Sequence, residues 1–95
     1  MDAQEITLNV AVNLGRLARW AHEGKRNRLD QFLNETQEYI GRLERAPKSE
    51  RFVPTFLNFQ KDFNRLKIDL SRDERWAEEM LTWANILTHR AKLAN

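Results

Sequence analysis

Three glycines and two prolines in 95 residues leave this chain almost no punctuation. An all-β fold needs a turn roughly every 8–12 residues, and turns draw on Gly, Pro, Asn and Asp for their backbone conformations. A chain so poor in turn residues must be built from a few long elements, and long elements in a small protein are helices. The apolar fraction of 41% against 32% charged residues is that of a globular chain, not a disordered one. A chain of this length buries roughly 60–65% of its unfolded surface, enough for one core without metal or disulfide staples.

Apolar periodicity divides the chain into four amphipathic segments. Asp2 followed by Glu5 reads as a cap with its partner at the third helical position. Ala3, Ile6, Val10, Leu14, Leu17 and Ala21 then fall within about 80° of one another on a helical wheel, up to a stop at Gly24. Asn27 is the cap expected for the second helix, whose stripe of Leu29, Phe32, Leu33, Thr36, Tyr39, Ile40 and Leu43 ends before Pro47. Ser49 is the next candidate cap, and Pro54 must lie near a helix start, so that boundary can slip to Val53. Phe52, Phe56, Phe59, Phe63 and Leu66 share one face of the third segment. Ser71-Arg72-Asp73-Glu74 reads as a second capping box, ahead of a face with Trp76, Met80, Trp83, Ala84, Leu87, Ala91 and Ala94.

The predicted helices are therefore about residues 3–23, 28–45, 50–69 and 72–93. Short links force neighbours to run antiparallel, so the expected fold is an all-α, up-down-up-down four-helix bundle forming one domain over residues 1–95. Two-helix hairpins exchanged between protomers would give the same pattern, which keeps a dimeric bundle open. Gly15, in the middle of a helix, is expected to permit a close helix–helix approach.

Little in the chain points to catalysis. With no cysteine, thiol chemistry, disulfide scaffolds and Cys-ligated zinc are excluded. His22 and His89 fall near the ends of the first and fourth helices, at opposite ends of an antiparallel bundle, where cations serve as helix-dipole partners. No Glu is followed three residues later by His, as a di-iron bundle would require, and no glycine-rich loop can cradle phosphate. The expectation is no enzyme, no metal and no cofactor. The acidic start Met1-Asp2-Ala3-Gln4-Glu5 is unlike a signal peptide, and no apolar run approaches the roughly 20 residues of a membrane span. The cytoplasm is the default expectation, with no membrane partner.

Arg16 and His22 have an Arg-x5-His spacing, which is similar to the motif of small helical ribonuclease toxins, the HEPN group. The resemblance covers seven residues. That family usually carries the motif on a later helix, often with a polar residue where this chain has Leu17. The two side chains also stand about 120° apart around the helix. A ribonuclease reading would rest on this spacing alone, and membership does not follow from it.

Two features bear on binding. Lys25, Arg26 and Arg28 crowd the first link, with Arg16 and Arg19 upstream and Trp20 among them. Cations interleaved with an aromatic can hold an RNA or DNA strand. A formal charge of +2 is a weak footprint for such a partner, and Glu23 and Asp30 dilute the cluster. A second cationic group, Arg42, Arg45, Lys48 and Arg51, surrounds the next link among Glu44 and Glu50. The other feature is apolar. Leu8 and Val12 project about 160° from the centre of the first helix's stripe, and Leu81, Ile86, Leu93, Leu57 and Ile68 also lie off their stripes. Either these widen the core or they form an interface. The expected function is a non-catalytic protein–protein interaction module, a homo-oligomer or the binder of another protein, with Leu8, Val12 and Trp20 as interface residues. The alternative is a small nucleic-acid-binding protein using Arg16, Arg19, Lys25, Arg26 and Arg28.

Overall fold

A computed structural model describes residues 1–95 and places the first helix, α1, at Ala3–His22. Asp2 caps it, its carboxylate accepting the Glu5 N–H at 2.9 Å. Gly24, at φ 75°, closes it in a left-handed turn: the Gly24 and Lys25 amides donate to the Ala21 and Trp20 carbonyls. A 3-10 turn at Arg26–Arg28 then leads directly into α2, Leu29–Arg45. Asn27, the expected cap, sits inside that turn, and Arg28 takes the cap position with no side-chain bond. Because the turn is already helical in hand, the Leu29 amide finds the Arg26 carbonyl and needs no cap.

α2 ends without a glycine. Lys48 Nζ instead donates to the carbonyls of Leu43 (2.7 Å), Glu44 (2.9 Å) and Ala46 (3.0 Å). The third helix, α3, spans Val53–Ile68 with Pro54 in its first turn, where a missing N–H costs nothing. Ser49 does not cap it. Its amide donates to the Ala94 carbonyl at 3.0 Å and its hydroxyl to the Leu93 carbonyl, tying the second link to the last turn of the chain.

The fourth helix, α4, runs Glu74–Arg90 and closes in a 3-10 turn at Ala91–Leu93. Its cap is Asp73, accepting the Trp76 N–H at 3.0 Å, two residues beyond the expected Ser71. Ser71 faces backwards, donating its N–H and hydroxyl to Asp69 Oδ1 (3.0 and 2.8 Å), which holds the Asp69 carboxyl below the usual carboxylate range. Between them Arg72 adopts φ 44°, a left-handed conformation costing an L-residue about 1–2 kcal/mol. Its buried guanidinium donates to Asp30 Oδ1 at 2.7 Å, while Arg26 Nη2 donates to the Ser71 carbonyl at 3.3 Å. The first and third links are thus fastened to each other.

The result is the all-α four-helix bundle that periodicity predicts, 37 × 20 × 18 Å, and no helix is long and apolar enough to cross a membrane. His22–Glu74 at one end and Gln4–Asn95 at the other show α1 and α4 running antiparallel side by side. Those two helices make the closest approach, and α1 also lies near α2, whereas α3 comes near its neighbours at few backbone positions. Side-chain size explains the difference. Ala11 and Ala18 on α1, and Ala77 and Ala84 on α4 with Ala91 just beyond it, are all buried, each column repeating every seven residues. α3 instead inserts Phe56, Phe59, Phe63 and Leu66, which hold its backbone off. Gly15 does not set the close approach: a Cβ there would meet nothing within 4 Å. The alanines do.

Candidate interaction surface

The outward side of the α1–α4 pair carries three exposed large apolar residues, Leu8 and Val12 on α1 and Leu81 on α4. On α1, Leu8, Val12, Gly15 and Arg19 fall within about 60° around the helix, pointing away from the core and toward the α4 side. On α4, Glu74, Glu78, Leu81 and Asn85 do the same, and Lys92 follows in the closing turn. Leu8 is 39% exposed, Val12 53% and Leu81 50%. The core therefore does not absorb them. Ile86 and Leu93 are half-buried, and Leu57 and Ile68 stand exposed on α3 three turns apart, with Lys61 and Asn64 between them.

Between the two helices lies a groove of about 420 Å³. Gly15, Ala18 and Ala77 line it with small groups, and Arg19, Glu78 and Leu81 stand along it. The alanines that bring the helices together therefore also leave a shallow channel on their outer side. At one end His22 Nδ1 lies 3.7 Å from Glu74 Oε1, a largely exposed pair worth little to stability. Arg19, Glu78, Glu5 and Lys92 take part in none of the ion pairs within the chain. Sequence reasoning missed Ala18, Ala77 and Glu78 here, although the seven-residue spacing of Ala77, Ala84 and Ala91 was a legible signal.

The structure keeps Leu8 and Val12 one turn apart on the same side of α1 but separates Trp20 from them. Trp20 lies about 80° further round, on the α2 flank. Its ring packs on Phe32 with centroids 4.5 Å apart, and the Arg28 guanidinium sits 5.9 Å from its centroid. The five cations of the first cluster do not form one patch either. Arg16 and Arg19 face outward from α1, Lys25 lies 3.9 Å from Glu23, Arg26 is bonded to the Ser71 carbonyl, and Arg28 covers Trp20. In the second cluster Lys48 is occupied at the end of α2, and Arg42 lies 5.4 Å from the Tyr39 ring centroid. Another hollow on α2, lined by Gln37, Gly41, Arg42 and Arg45, has no hydrophobic lining.

His22 and His89 sit at opposite ends of the bundle, and no three His, Asp or Glu side chains are grouped to hold a metal ion. Arg16 and His22 diverge around α1, with His22 turned to Glu74. No protein-family model matches the chain, and no curated protein or solved structure matches it.

Proposed function

We propose that this chain is a non-catalytic helical interaction module that self-associates through the outer α1–α4 face. The observation that carries the reading is the exposure of Leu8 and Val12 one turn apart on α1, with Leu81 of α4 exposed at the edge of a groove lined by Gly15, Ala18 and Ala77. Removing one leucine-sized side chain from water contributes about 1.5–3 kcal/mol when burial is complete. Three such side chains from each copy offset much of the cost of association. Scattered leucines would not. Leu57 and Ile68, separated by polar residues, illustrate that other case. The nucleic-acid alternative has weaker support, because Lys25, Arg26 and Arg28 already have partners within the chain.

Light scattering on a sizing column, over a range of concentrations, tests the reading. The wild-type chain is expected to run at a multiple of its single-chain mass. The Leu8→Glu/Val12→Glu double variant is expected to return to one chain while keeping its fold, since exposed substitutions change stability by about 0.5 kcal/mol or less. Unchanged assembly in the folded double variant would overturn the assignment of this face. A single-chain mass for the wild type throughout would overturn self-association itself.

A further inference from the structure

We draw no further inference here: the strongest candidate, the outer groove between α1 and α4 with Arg19 on one wall and Glu78 on the other, carries nothing beyond the proposed interface, because these charges complement each other within the chain and nothing in the structure shows what covers the groove.

Discussion

The α1–α4 seam and the α3 side of the bundle solve the same packing problem with opposite means. At the seam, two columns of alanines bring backbones together and each residue buries little. On the α3 side, Phe56, Phe59 and Phe63 fill a wider gap, and Trp76 crosses from α4 to donate its indole N–H to the Leu66 carbonyl at 2.8 Å. One side gains stability from proximity, the other from volume. The difference extends to the outer surface. Small residues at the seam leave a channel outside it with Leu81 at its edge, whereas the exposed apolar residues of α3 stand singly.

That contrast can be broken at either side. Phe63→Ala should have the largest effect, a loss of about 3–5 kcal/mol by denaturant unfolding, because no neighbour on the stand-off side can close a phenylalanine-sized void. Ala84→Leu should cost about 1–3 kcal/mol through the reverse fault, overfilling a seam with no spare width. Adding a methyl group at Gly15, outside the seam, should by contrast be tolerated, so Gly15→Ala should not lower stability in the same measurement. Trp83→Phe sharpens the comparison with the smallest change. It keeps the packing on Phe59, where centroids are 5.4 Å apart, and removes only the half-exposed bond from Nε1 to Asp62 Oδ2. Its cost should stay at about 1 kcal/mol or less in the same unfolding titration.

Sequence reading succeeded where a single periodic signal decided the outcome. The four helices, the Asp2 cap and the phenylalanine face followed from spacing alone. It failed where a local motif competed with a distant contact. Ser49 and Ser71 both look like helix caps, yet Ser49 binds the far end of the chain and Ser71 binds Asp69. Arg72 entered the sequence reading only within the Ser71–Glu74 capping box, yet it is buried against Asp30, 42 positions away. The candidate face was half legible. Leu8 and Val12 were identifiable because they oppose their own stripe, but the groove beside them depends on which helix lies next to α1, and periodicity within one helix does not carry that. Trp20 was misgrouped for the same reason, since its true neighbour is Phe32 on α2.

The fastening of the first link to the third has a consequence for how the bundle comes apart. Arg26 and Arg72 each reach across from one helical hairpin to the other, at the end where both hairpins turn. A hairpin that frays there must release its counterpart's loop in the same event. At the opposite end Ser49 holds the last turn of the chain in similar fashion. The two hairpins should therefore open together, with amide protons in both turn regions exchanging with solvent through shared fluctuations in a hydrogen-exchange measurement.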